Sequence, residues 1–359
     1  MSEAEQLPKS QRSHWWRILL AVIVLGLAVN LLLPQIAELE RSWDVVKNLI
    51  WWAVGLSILA QALSYVFAGY MIHAILETTE QKISLWKCIL IYMASFSVGL
   101  VTGGWVGSAA ATVGWVKQEN KDGHTALLAG SLPALLINAS LIGLAFFGIL
   151  YLLFVHNLTK GQLIQYLVIL FILGLLTFGE LAAMRFPRQA SKALIWFIGR
   201  LARLFHRPFD PEKITSKIDH FAEVWHALGR KWLRPLIGAL GYIACDMLTL
   251  FLFFLAAGYQ LNPGVLLAGY SLPVILSKVA FIFPGGVGLV EVTMVAMFDS
   301  LKVPDAISVI AVLGYRLFSF WIPTILGFIV AAFLSRKSFK QSAKQILHIT
   351  NNQAQNKQD

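Results

Sequence analysis

The chain has 359 residues, of which 57% are apolar and only 13% charged, against roughly 45–50% and about 25% in an ordinary soluble domain. Continuous apolar length rather than composition rules out one large soluble core: a bilayer core about 30 Å thick takes ~20 helical residues to cross, and several such runs are present. The net charge of +10 is therefore set against anionic lipid headgroups and not against nucleic acid.

In chain order, the apolar runs are 18–37, 49–76, 88–113, 126–155, 162–184, 235–258, 265–300 and 306–333. The first is too long for a secretory h-region and lacks a small-residue cleavage pattern, so it reads as a retained anchor. The run 88–113 is broken by Thr102, Gly103 and Gly104, with Gly99 and Gly107 close by. The run 265–300 is too long for one crossing and is broken by Pro284, Gly285, Gly286, Val287 and Gly288. Glycines tolerate tight reversals, and such backbone is allowed at membrane depth where protein or water covers it.

Charge gives the sidedness. Between Arg185 and Arg234, eleven Lys/Arg face four Asp/Glu, and after Leu334 five Lys/Arg face one Asp. Both clusters belong on the cytoplasmic side. Five full crossings before residue 185 would put that loop opposite the N-terminus, in conflict with Arg12 and Arg17. Parity is restored if 88–113 and 265–300 are re-entrant hairpins.

The sequence thus predicts an all-α polytopic membrane protein with six spanning helices (18–37, 49–76, 126–155, 162–184, 235–258, 306–333) and two re-entrant hairpins entering from opposite sides. Opposite entry and the echo of Gly103-Gly104-Trp105-Val106-Gly107 in Gly285-Gly286-Val287-Gly288 suggest an inverted repeat, as in transporters with broken segments at corresponding positions. The parts are a cytoplasmic segment 1–17, a membrane half 18–184, a basic linker 185–234, a second membrane half 235–334 and a basic tail 335–359. N- and C-termini are expected in the cytoplasm, at the cell membrane, with loops near Arg41 and Asn157 outside. Asn157-Leu158-Thr159 matches a short glycosylation pattern in one of those loops. Within the linker, Leu194, Ile198, Leu201 and Phe205 make an apolar helical face, and Ile214, Ile218, Phe221, Trp225 and Leu228 make a second. The linker reads as lying on the membrane surface.

No phosphate-binding loop, zinc-protease motif or nucleophile elbow occurs. Cys88 and Cys245 stand alone inside apolar runs, so neither metal nor cofactor is expected. The ionisable groups inside membrane segments are Asp246, Lys278, Glu291 and Arg316, each costing roughly 2.5–3.5 kcal/mol to insert. At 1.5 Å per residue, Asp246 and Arg316 lie roughly 15 Å deep, where two acids and two bases can neutralise one another. They either form buried pairs that hold broken helices together or line a polar cavity that accepts a charged headgroup. Glu291 and Arg316 flank the broken segment and favour the second reading.

The stretch from Phe283 through Pro284, Gly285, Gly286, Gly288 and Glu291, then Leu301-Lys302-Val303-Pro304 and Arg316 in the next helix, resembles the C-terminal signature of the lysylphosphatidylglycerol synthase transmembrane, or flippase-like, family. The resemblance implies a lipid-translocating protein. Arg316, with Lys278, would meet a phosphate, Glu291 would orient the arginine or meet a cationic headgroup, and Asp246 and the glycines Gly285, Gly286 and Gly288 would line the substrate site. The family's acidic element in the N-terminal half is replaced by Thr102 and Ser108, which puts the usual substrate in question. No aminoacyl-transferase domain is expected after Leu334, so a transporter is expected rather than an enzyme. The implied partner is a membrane lipid with an anionic or phosphate-bearing headgroup. A membrane transferase acting on lipid-linked sugars, and a non-catalytic partner of a lipid-modifying enzyme, remain open.

Overall fold

The computed structural model describes residues 43–78, 81–102, 104–120, 123–155, 232–279 and 286–335, with isolated positions between 161 and 212. Regular structure among the described residues is helical throughout: α1 Trp43–Lys47, α2 Trp51–Thr78, α3 Leu85–Thr102, α4 Trp105–Asn120, α5 Gly123–Val155, α6 Leu233–Ala256, α7 Pro263–Val279, α8 Leu289–Ser300 and α9 Asp305–Arg316. A π-helical turn, Leu317–Trp321, follows α9, and the helix then continues to Ser335. Hydrocarbon offers no partner for a peptide group, so helices that satisfy their own backbone are what an apolar run of this length forms.

Five segments are long and apolar enough to cross a membrane: Trp51–Thr78, Leu85–Thr102, Thr125–Val155, Leu233–Ala256 and Asp305–Ser335. The chain is an all-α polytopic membrane protein. Four of the five coincide with predicted spans 49–76, 126–155, 235–258 and 306–333. The predicted span 18–37 lies outside the described residues, and 162–184 falls where only isolated positions are described.

The fifth candidate, Leu85–Thr102, is one arm of the first hairpin. Gly99 lies against Gly104 and Ser108, the Thr112 and Ser95 hydroxyls hydrogen-bond at 2.8 Å, and Lys87 pairs with Glu119 at 2.7 Å. The Gly99–Ser108, Ser95–Thr112 and Lys87–Glu119 contacts all have midpoints between residues 103 and 104 inclusive, so α3 and α4 fold back antiparallel. Gly104 makes the turn at φ 66° and donates its N–H to the Gly99 carbonyl at 2.6 Å. The hairpin extends beyond the predicted 88–113 because its base ends in charged residues that hydropathy cuts off while the helices continue.

The second hairpin is α7 and α8. Gly269 packs on the Phe298 ring, a contact whose midpoint falls between residues 283 and 284. A fold-back returns the chain to its starting side at any depth.

Helices α2 and α6 are antiparallel neighbours. Ser64 donates to the Tyr242 carbonyl at 3.0 Å, Thr249 reaches the Ser57 carbonyl, and Arg234 pairs with Glu77 at 3.1 Å at their shared end. One apolar core joins α5 to α9 through Leu141, Ile243, Phe254, Val265, Phe298 and Val312. Smaller cores lie toward the other end of α2, around Met71, Ile75 and Leu132 and around Ile72, Cys88 and Val116. Along α2, buried Ser57, Gln61, Ser64 and Tyr65 separate the two regions. This polar belt at mid-helix height positions the site.

Candidate functional site

Two turns of chain carry the central pair. Glu291 is the third residue of α8, in its first turn, where the helix dipole favours a carboxylate. Gly288 precedes that helix at φ 79° and Gly286 lies at φ 67°. Both sit in the left-handed region that an L side chain enters only with strain, which explains the need for glycine at these positions. Arg316 ends α9, immediately before the π turn. Such insertions locally widen a helix and recur at functional sites.

Arg316 Nε donates to Glu291 Oε1 at 2.7 Å. The arginine is 7% exposed and the glutamate 1%. The guanidinium carbon stands 4.2 Å from the centre of the Phe320 ring, a cation–π arrangement set up by the π turn. Arg316 Nη2 and Glu291 Oε2 are buried without a hydrogen-bond partner. An uncompensated donor in a buried guanidinium is costly, so the ion pair leaves binding capacity in reserve on both sides.

Asp246, 6% exposed, belongs to the same belt with different partners. Its Oδ2 accepts from Tyr270 at 2.7 Å and from Tyr315 at 2.6 Å, and the Gln61 side chain faces the same carboxyl. Tyr315 is adjacent in sequence to Arg316, so the two acids are anchored to neighbouring residues of α9. Tyr65 completes the belt by donating to the Ser319 carbonyl in the π turn at 3.2 Å.

Of the residues singled out in the sequence, Glu291 and Arg316 are in direct contact, and Asp246 joins them through Tyr315. Gly286 and Gly288 form the turn into α8. Lys278 is the penultimate residue of α7, with its side chain outside the described residues, as are Pro284 and Gly285. Asp246 takes hydroxyl partners, and the expected second pair with Lys278 lies outside the described residues. Tyr270, Tyr315, Gln61 and Phe320 were not anticipated. Their signal is weak, since a tyrosine or glutamine in an apolar run reads equally well as packing.

The ends of the two hairpins meet at this site. Val287, just after the second turn, and Phe320 form a buried pair packed against Phe96 and Leu100 of the first hairpin, with the Phe96 and Phe320 rings edge to face at 6.0 Å. Among the described residues no group of His, Cys, Asp and Glu could hold a metal ion.

Comparison with known proteins agrees with this architecture. The family model of the lysylphosphatidylglycerol synthase TM region matches residues 15–327. The chain belongs to this family. The match takes in both hairpins, Asp246, Glu291 and Arg316, and supports a multi-pass membrane protein. A UPF0104 membrane protein of Pyrococcus horikoshii is 24% identical over 323 residues, covering 85% of this chain and 94% of its own length. A UPF0104 membrane protein of Methanocaldococcus jannaschii is 29% identical over 141 residues, 38% of this chain and 41% of its own length.

Proposed function

We propose that this protein moves a phosphate-bearing lipid between the leaflets of the cell membrane, with the headgroup passing through the polar belt while the hydrocarbon chains stay in the bilayer. The observation that carries the reading is the state of Arg316. It is buried, stacked on Phe320 and tethered to Glu291 through Nε, while Nη2 has no protein partner. Arginine binds phosphate with two parallel N–H donors, and a guanidinium held by one edge keeps other donors for an oxyanion. Glu291 fixes its orientation.

The broken helices supply the rest of the reading. The two hairpins, entering from opposite faces as halves of an inverted repeat, meet beside Arg316, where a rocking motion would expose the belt to either side in turn. The basic stretches 185–234 and 335–359 sit on the cytoplasmic side with both termini.

Purified protein in vesicles carrying a trace of headgroup-labelled phosphatidylglycerol tests the proposal. Label in the inner leaflet should become accessible to an impermeant quencher well above the rate in protein-free vesicles, and Arg316→Lys, which keeps the charge and loses the planar fork, should remove most of the difference. Equal rates with and without protein, across anionic and zwitterionic labels, would reject lipid movement.

A further inference from the structure

The two buried carboxylates are held in different ways. Glu291 has a cation, whereas Asp246 receives two tyrosine hydroxyls. Among the described residues Asp246, Glu291 and Arg316 are the buried charged groups, so two acids face one guanidinium. An anionic headgroup arriving at Arg316 would add a third negative charge. Buried charge without a counter-charge is expensive enough that the group takes a proton instead. Asp246 is the acid that gives up its charge at less cost, because protonating Glu291 would break an ion pair.

The surroundings of Asp246 suit both protonation states. When it is ionised, Tyr270 and Tyr315 donate to Oδ2 and the Gln61 amide faces the carboxyl. When it is protonated, both hydroxyls still donate to Oδ2, and the proton resides on Oδ1. Gln61 Oε1 is buried without a partner, and a half-turn of the amide exchanges its donor for an acceptor, which then receives that proton.

The other titratable groups facing Asp246 are Tyr65 from α2, Tyr92 from α3, and Tyr242 and Cys245 from α6 itself. Tyrosines ordinarily keep their protons to about pH 10. Among the described residues the charged group facing it is Arg316, from α9. Lys278, eight residues beyond Tyr270 on α7, has its side chain outside the described residues.

We infer that Asp246 is a proton-binding site coupled to the headgroup site: it takes up a proton as an anionic phosphodiester headgroup settles on Arg316 and releases it as the headgroup leaves. The inference rests on the lipid reading above and supplies that reading with a co-substrate. Coupling is reciprocal, so the proton tightens headgroup binding as the headgroup tightens proton binding. Tyr315 and Arg316, adjacent on α9, carry the link.

The test is the affinity of the full chain in detergent for dihexanoyl phosphatidylglycerol, whose phosphodiester does not titrate, from about pH 5 to about pH 9. Affinity should be highest at low pH and fall by up to about tenfold per pH unit through the window where the proton is lost. Asp246→Asn, which mimics the protonated acid, should bind with the low-pH affinity throughout. Tyr270→Phe, which removes one donor from the ionised carboxyl, should move the fall to higher pH and decides the question should the asparagine variant not fold. A wild-type affinity that is flat with pH, an asparagine variant that keeps the pH dependence, or an unmoved midpoint in Tyr270→Phe would overturn proton coupling alone. No binding by the wild-type protein at any pH would overturn the lipid reading with it.

Discussion

The two hairpins share a plan and differ in chemistry. In its interior the first is held by small and neutral groups, Gly99 against Gly104 and the Ser95 and Thr112 hydroxyls, with a Lys87–Glu119 ion pair at its partly exposed base. Ser108 donates its N–H to the Gly104 carbonyl at 3.0 Å and serves the turn. The second hairpin brings Tyr270 to Asp246 and Glu291 to Arg316. A shared fold-back geometry therefore does not make two equivalent binding half-sites. The first hairpin supplies a wall, and the buried charges come from α6, the second hairpin and α9.

The comparison is broken most severely by removing the central cation. Arg316→Leu leaves Glu291 buried and unpaired and should cost about 3–5 kcal/mol, read as a large drop in folded yield and thermal midpoint. The double change Arg316→Leu with Glu291→Leu should recover most of that stability. If the single variant is as stable as wild type, the pair is not the buried ion pair described.

The turns should respond to different insults. Gly99→Ala would put a Cβ 2.7 Å from the Gly104 carbonyl oxygen and should cost about 1–3 kcal/mol through overpacking. Gly104→Ala meets open space and should cost only the strain of its positive φ, about 1–2 kcal/mol. In the second hairpin, Gly288→Ala carries similar strain and also shifts the start of α8, so it should alter lipid movement, which Gly104→Ala should not. Thermal midpoints with a transport assay separate the two, and equal effects on transport would remove the asymmetry.

The smallest effect sharpens the C-terminal boundary of the second hairpin. Lys302 sits at φ 66° as α8 ends: its N–H meets the Asp299 carbonyl at 2.8 Å and the Val303 N–H meets the Phe298 carbonyl at 3.0 Å. This is a Schellman closure built without glycine. Lys302→Gly should gain about 0.5 kcal/mol, strain relief being offset by chain entropy. A loss of stability would show that the lysine side chain contributes something else.

Much of this plan was legible in the sequence because membrane helices are set by apolar length and hairpins by glycine breaks. Residues 102–104 and 284–288 marked both fold-backs, and the cost of burying charge marked Asp246, Glu291 and Arg316. The extension of the first hairpin to Lys87 and Glu119 was hidden because hydropathy stops at charged residues that a helix can still include. The tyrosine cradle of Asp246 was hidden because Tyr270 and Tyr315 come from distant segments, and only their packing turns two apolar-looking residues into hydrogen-bond donors. The meeting of the hairpin ends on Phe320 depends on the π turn, for which no residue pattern spoke.

The central claim is that the guanidinium of Arg316 receives a phosphate with donors that Glu291 leaves over. Arg316→Lys tests it most directly, because the charge stays and the planar fork goes. Folded yield and the rate of labelled-lipid movement should be measured on the same preparations. A well-folded lysine variant whose rate falls about tenfold or more is the predicted result. A lysine variant that moves lipid at the wild-type rate would contradict it and leave Arg316 and Glu291 as a structural pair.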